Sequence, residues 1–471
     1  MSNSEVEHAT SLWRSCVGSL RRKQVASETV HGARLAMVEL RRGCDSCVEE
    51  NKICKCGIEN GEAGFGSANH HAKANSSFAH SVINMVGMLI GLGQLSTPYA
   101  LENGGWTTVF LLVGLGIICA YTSHIIGKCL EEDPDSKTYQ DIGQQAFGAW
   151  GRALASAFIY LEIFFALVSY TISLHDNLAL ALPGARLGLP PSVPLSSPQL
   201  LTSVAVAVAL PSLWLRDLSS ISFLSFGGIL MSLLIFSTIA WTAAFGGLGA
   251  DGGLPVLRLR KIPGISGLYI FSFAGHIVFP NIYKAMKDPS QFTKVSITSF
   301  SLVTILYTSL AFMGAKLFGP SVSSQITLSM PRHRIATKMA LWAVVLTPMT
   351  KYALEFAPFA TQLEHSLPPS VGSRGRTVVR GAVGSLLLVV ILALALSVPY
   401  FEHVLALTGS LVSSGISVVI PCIFYLRICW QRVSKRRVLL NGVIIVVGIG
   451  FGVVGTLSSF KSLVETMRRS H

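Results

Sequence analysis

Gly87, Gly91, Gly93 and Pro98 interrupt an apolar run that otherwise suits a membrane helix, Val86-Gly87-Met88-Leu89-Ile90-Gly91-Leu92-Gly93-Gln94-Leu95-Ser96-Thr97-Pro98-Tyr99. Glycine weakens a helix and proline removes a backbone donor, so this spacing predicts a break. A second break is expected at Phe273-Ala274-Gly275-His276-Ile277-Val278-Phe279-Pro280, where the interval from Gly275 to Pro280 matches that from Gly93 to Pro98. Backbone groups freed at membrane depth persist only where protein or a water-filled cavity satisfies them, and in transporters such breaks are where solutes bind. The half-helix starting near Gly93 is expected to present free N–H groups and the positive end of its dipole to a carboxylate. Carbonyls near Gly87 to Ile90 and near Ser272 to Ala274 are expected to lack partners and to suit an ammonium. A site with both features fits the zwitterion shared by α-amino acids, and would draw on Ile90, Gly91, Leu92, Gly93, Phe273, Ala274, Gly275 and His276. Either motif alone fits glycines that merely let helices pack closely. Two breaks of matched spacing, half a chain apart, favour binding.

Ionisable residues at membrane depth are costly and are functional candidates by default. Glu162 falls well inside the third apolar span, near Tyr160 and Tyr170; it is either a protonatable carboxylate or a partner for a neighbouring helix, and Tyr160 is added to the substrate-binding candidates. His276 titrates near physiological pH, although a neutral imidazole bonded to a freed carbonyl would serve structure alone. Thr347, Lys351 and Glu355 are four apart on one face of the eighth span, and Pro348 frees a carbonyl one turn earlier. An ammonium at Lys351 suits the place of a coupling sodium ion; the alternatives are a Lys351–Glu355 ion pair or a lysine snorkelling to the cytosolic face. The proton-coupling candidates are therefore Glu162, His276, Thr347, Lys351 and Glu355. His175 and Asp176 are assigned to a loop. Cys44, Cys47, Cys54 and Cys56 supply four thiols, enough for tetrahedral zinc, but the Cys54-Lys55-Cys56 spacing is tight and the flanks are acidic. Reduced, unliganded cysteines are expected there, and no cofactor is.

These residues need a membrane scaffold, and the composition supplies one. Of 471 residues, 51% are hydrophobic and 13% charged, against roughly 25% charged in soluble domains. The net charge of +13 lies in short clusters between apolar spans, which argues for a topology signal and against nucleic acid. The nine cysteines suggest no secreted disulfide framework, since Cys119 and Cys422 lie inside apolar spans. Residues 1 to 76 are polar and mixed in charge, so a disordered cytosolic tail is expected; Ser11 to Lys23 has a pattern that could rest a short helix on an anionic membrane surface, but a solvated tail with scattered apolar residues is the favoured reading there. No cleaved signal peptide is expected.

From Ala79 onward, apolar windows of about 20 residues recur, each long enough to cross about 30 Å of hydrocarbon. They fall near 79–101, 106–130, 152–181, 199–215, 219–244, 265–284, 295–317, 335–363, 378–397, 400–426 and 438–460. The expected fold is an all-α polytopic membrane protein of about 11 transmembrane helices. Two inverted five-helix repeats would each begin with a broken helix, the first and the sixth, and one helix would be extra. Lys128, Lys137, Arg216, Lys284, Lys287, Lys294, Arg374, Arg376, Arg380, Arg427, Arg432, Lys435, Arg436 and Arg437 fall on one side, which is expected to be cytosolic. Arg258, Arg260, Lys261, Arg332 and Arg334 fall on the other.

The runs NMVGMLIGLGQLSTPYALENGGW (84–106), TYQDIGQQAFGAWGR (138–152), FSFAGHIVFPNIYKAMKDPSQF (271–292) and TKYALEFAPFATQLE (350–364) resemble the amino acid/auxin permease family, above all its plant vacuolar amino-acid transporter branch. The resemblance covers nearly everything after residue 76. It implies an eleven-helix inverted-repeat fold and proton-coupled movement of neutral amino acids. By position it also implies that Ile90 to Gly93 and Phe273 to His276 line the substrate site, with helices three and eight completing it. The vacuolar membrane rests on this resemblance, with the plasma membrane as the alternative.

The expected function is secondary active transport by alternating access around a midplane site. Its partners are an amino acid, protons and the bilayer; no oligomeric state is assigned. The competing class is an amino-acid-sensing receptor that signals through its tail. An enzyme ranks last, because the chain has no HExxH, no GxSxG and no intramembrane cluster with metal-ligand spacing.

Overall fold

The computed structural model describes residues 76–184, 196–214, 218–245, 253–368 and 370–470. Residues 1–75, with the Ser11 to Lys23 segment and Cys44, Cys47, Cys54 and Cys56, lie outside them, as does Arg216. Helices α1 (Phe78–Leu89) and α2 (Gly93–Gly104) form the first helical stretch, bent by 59° between them. The chain continues through α3 (Thr108–Glu132) and α4 (Tyr139–Ala181) to α5 (Ser197–Ala209), which a 3-10 turn extends to Trp214. Helix α6 (Leu218–Phe245) precedes the second broken stretch, α7 (Ile262–Ser272) and α8 (Phe279–Ala285), separated by a 3-10 turn over His276–Val278. There follow α9 (Phe292–Phe318), a short α10 (Ile326–Ser329), α11 (Ile335–Ser366) and α12 (Ser373–Ser397). Helices α13 (Phe401–Thr408) and α14 (Ile420–Ile428) are joined by two π-helical segments, Gly409–Ser413 and Gly415–Val419, and α15 (Lys435–Ser470) ends the chain.

Each expected window coincides with a helical stretch. Among the described residues nine helices are long and apolar enough to cross a membrane, ten with the bent first pair taken as one span. Helix α11, 32 residues long, lies outside that count because Lys338, Lys351 and Glu355 dilute its apolar character. The protein is a polytopic all-α membrane protein. Its surface agrees with a hydrocarbon solvent: Phe110 and Val446 on the outward faces of α3 and α15 are each 70% exposed, which lipid contact satisfies and water would not.

Local chemistry sets the ends of the elements. Thr138 and Asp141 form a reciprocal capping box that starts α4 thirteen residues or so before the expected span, and α4 is kinked where Gly148 adopts φ +63°. His175 and Asp176 belong to the last turns of α4, not to a loop; the helix runs on to Ala181 because Gln325 donates to the Asp176 carboxylate (2.7 Å) and Thr202 pairs with His175 (2.9 Å). Some of the basic residues are tied to neighbouring chain. Of the set expected on the cytosolic side, Arg432 pairs with Glu132 (2.7 Å) and Lys284 donates to the Pro134 carbonyl (2.7 Å). Of the other set, Arg258 lies by Glu102 (3.9 Å) and its backbone N–H donates to the Gly104 carbonyl (2.8 Å).

Helix α11 packs on α6 and α4, α9 packs across α1, α2 and α3, and α7 packs on α13 and α15. Helix α7 also packs on the π-helical segment that follows α13, and that contact depends on glycine: a Cβ at Gly409 would lie 2.6 Å from the Gly267 carbonyl carbon. Backbone this close has no room to yield, so Gly409→Val is expected to cost about 3 kcal/mol and to lower the melting temperature of the purified protein clearly. An unchanged melt would contradict the packing.

Candidate functional site

The two breaks touch. A Cβ built on Gly93, the first residue of α2, would lie 2.5 Å from the Ser272 Cα, the last residue of α7. Only hydrogen at Gly93 allows that approach. Pro98 is the sixth residue of α2, past the turn whose N–H groups lack intrahelical partners, and the Gln94 carbonyl that its missing N–H would serve accepts instead from the Thr97 hydroxyl (3.2 Å).

Around the contact lies a cavity of about 60 Å³. Met88, Leu89, Gly91, Leu92 and Gly93 line it from the first break, and Ser272, Ala274, Gly275, His276, Ile277 and Val278 from the second. Glu162, Ala166 and Tyr170 face it from α4, Glu355 from α11 and Ile416 from the second π-helical segment. The sequence candidates Gly91, Leu92, Gly93, Ala274, Gly275, His276, Glu162 and Glu355 are thus brought together, with helices three and eight completing the wall.

The other candidates are placed elsewhere. Ile90 is packed in the core, and Phe273 stacks against Phe300 and Tyr307 (centroids 6.1 and 5.7 Å). Tyr160 meets Phe359 edge-on at 5.3 Å. The helical period explains this: Glu162, Ala166 and Tyr170 recur every four residues on the cavity face of α4, whereas Tyr160 lies two residues off that face. Thr347 donates to the Ala343 carbonyl (2.8 Å). Lys351 is buried and directs its stem toward α6, where a Cβ at Gly228 would lie 3.6 Å from its Cε. Lys351 and Glu355 form no direct ion pair among the described residues.

At the start of α2 the N–H groups of Leu92 and Gly93 find no backbone acceptor among the described residues, while those of Gln94 and Leu95 close short turns to Gly91 and Leu92. The positive half-helix end is therefore open. The expected set of free carbonyls is narrower than the sequence suggests. Those of Leu89 and Ser272 are both taken by the Tyr307 hydroxyl, at 2.7 and 3.1 Å, and those of Phe273 and Ala274 are left without a backbone donor among the described residues.

The His276 ring is fixed by α3. Its Nε2 lies 3.1 Å from the Cys119 carbonyl and 2.9 Å from the Thr122 hydroxyl. A carbonyl only accepts, so the hydrogen is assigned to Nε2. Nδ1 is then a bare acceptor, buried and without a partner among the described residues. The Glu162 carboxylate is held by one hydroxyl, that of Ser413, at 2.8 and 2.9 Å from its two oxygens. Since Ser413 has a single hydrogen, Glu162 keeps acceptor capacity to spare. Ser413 ends the first π-helical segment and Ile416, which lines the cavity, belongs to the second; π-turns are frequent at functional sites. Ser413, Tyr170 and Tyr307 were not sequence candidates; the Gly- and Ser-rich run Gly409 to Ser417 was the available signal for the first.

Residues 74–461 match the family described as "Transmembrane amino acid transporter protein". The chain is 60% identical over 430 residues to "Amino acid transporter AVT1H" of Arabidopsis thaliana, covering 91% of this chain and 99% of that protein. It is 26% identical over 408 residues to "Vesicular inhibitory amino acid transporter" of Xenopus tropicalis, covering 82% and 77%. Among solved structures it resembles MhsT in complex with L-phenylalanine, with a TM-score of 0.52 and 14% identity over 80% of this chain and 98% of that one. At that identity the likeness concerns the fold alone.

Proposed function

Since the chain belongs to the transmembrane amino acid transporter family, we propose that it carries neutral amino acids by proton-coupled alternating access, with the substrate held between the two breaks. The observation that carries this reading is the Gly93–Ser272 contact, which joins an open N–H end and freed carbonyls around one cavity. The substrate carboxylate meets the N–H groups of Leu92 and Gly93. The ammonium meets the Phe273 and Ala274 carbonyls, with Glu162 and the His276 Nδ1 as further acceptors. Among the described residues no lysine or arginine lines the cavity, which disfavours an acidic side chain; besides Glu162 and Glu355, its walls include Met88, Tyr170, Ile277 and Ile416, which suit an uncharged one.

Glu162 carries the coupled proton in this reading, and His276, with its hydrogen committed to α3, positions substrate. Lys351, facing α6 and away from the cavity lining, serves as a fixed charge beside Glu355. The N-terminus is cytosolic and the vacuolar membrane is the location, in line with the basic clusters and with the family branch the motifs resemble. Uptake of labelled neutral amino acids into proteoliposomes, without sodium and with or without a pH gradient, tests the reading. Gradient-driven uptake is expected. Binding without flux at any gradient would favour the receptor instead, and uptake that required sodium would overturn proton coupling.

A further inference from the structure

The two negative half-helix ends converge on one side chain. Helix α1 ends at Leu89 and α7 at Ser272, and at such ends the last carbonyls have no intrahelical partner and carry the negative end of the dipole. Both carbonyls accept from the Tyr307 hydroxyl of α9, at 2.7 and 3.1 Å. Tyr307 is fully buried, and its ring is wedged against Phe273 at 5.7 Å, so it has little freedom to turn away. A hydroxyl has one hydrogen. It serves two carbonyls at once, a task for which a monovalent cation with several oxygen ligands is better suited.

We propose that Tyr307 is the positioning residue that ties the two breaks together, its hydroxyl hydrogen standing where a sodium ion would otherwise be needed to neutralise the converging carbonyls. This rests on the breaks forming the substrate site, but makes a claim about ions that does not depend on flux. Sodium is unnecessary while the hydroxyl is present. Removing it leaves two oxygens from separate half-helices facing a small void, which is a cation site in outline.

The test compares the purified full-length chain with Tyr307→Phe in sodium chloride and in choline chloride. The wild-type melting temperature is expected to be the same in both. Tyr307→Phe is expected to melt lower in choline and to regain about 3 °C or more in sodium; in proteoliposomes its uptake would fall about tenfold and return in part with sodium. A variant equal to wild type in choline, or one weakened equally in both salts, would overturn the proposal, since loss of packing alone has no cation dependence. If Tyr307→Phe cannot be purified in either salt, p-aminophenylalanine at position 307, which keeps N–H donors at the same reach, must restore sodium-independent stability; failure of that protein would also overturn the proposal. A sodium-dependent melt without uptake by the wild type would keep the role of Tyr307 and discard transport.

Discussion

Gly93→Ala is expected to abolish amino-acid uptake, with a loss of about a hundredfold or more. The added methyl would lie 2.5 Å from the Ser272 Cα, and backbone cannot swing aside as a side chain can. Relief requires α2 and α7 to part, which displaces the open N–H groups of Leu92 and Gly93 from the second break. Gly91→Ala provides the contrast. Its Cβ would meet the Tyr170 hydroxyl at 3.3 Å, the end of a side chain that can yield by a few tenths of an ångström, so uptake within about fivefold of wild type is expected. Initial rates of labelled uptake for the two variants, at matched amounts of folded protein, check the order. Equal effects would show that the Gly93–Ser272 approach is dispensable.

The second large effect is expected at Glu162. Its carboxylate lines the cavity and, among the described residues, has only the Ser413 hydroxyl as a bonded partner, so proton gain and loss there need not break a network. Glu162→Gln keeps the shape and one acceptor but removes the titrating group. Stimulation of uptake by a pH gradient is expected to vanish, while exchange of labelled for unlabelled amino acid, which needs no net proton movement, stays within about threefold of wild type. The control is Lys351→Met, whose side chain faces α6, and which is expected to lower stability more than coupling. Gradient-driven uptake surviving in Glu162→Gln would move the proton to Glu355, the other carboxylate lining the cavity.

The breaks were legible in the sequence because backbone exceptions are written in glycine and proline, and the matched Gly93–Pro98 and Gly275–Pro280 intervals survive as two interrupted helices in corresponding positions. The apolar windows likewise became helices because length and hydrophobicity alone fix a membrane span. What the sequence left open was the rotation of each helix. Tyr160 and Tyr170 look alike in an apolar run, and only the position of Glu162 on the packed face of α4 selects Tyr170. Lys351 and Glu355 share a helix face by spacing, yet α11 packs between α4 and α6, and one side chain reaches Gly228 while the other lines the cavity. Tyr307 had no local signature at all. A tyrosine in a span rich in serine and threonine reads as core, and its hydroxyl matters only once α1 and α7 end beside it. The π-helical segments of the tenth stretch were similarly hidden, since small residues permit the wider turn without requiring it.

The most direct test is an experimental structure of the full chain with a transported neutral amino acid bound. The account predicts density between the breaks, with the carboxylate on the N–H groups of Leu92 and Gly93 and the ammonium toward the Phe273 and Ala274 carbonyls. An amino acid bound elsewhere, for instance in the cleft between α3 and α9 lined by Tyr121, His124 and Thr304, with the space between the breaks empty, would contradict it.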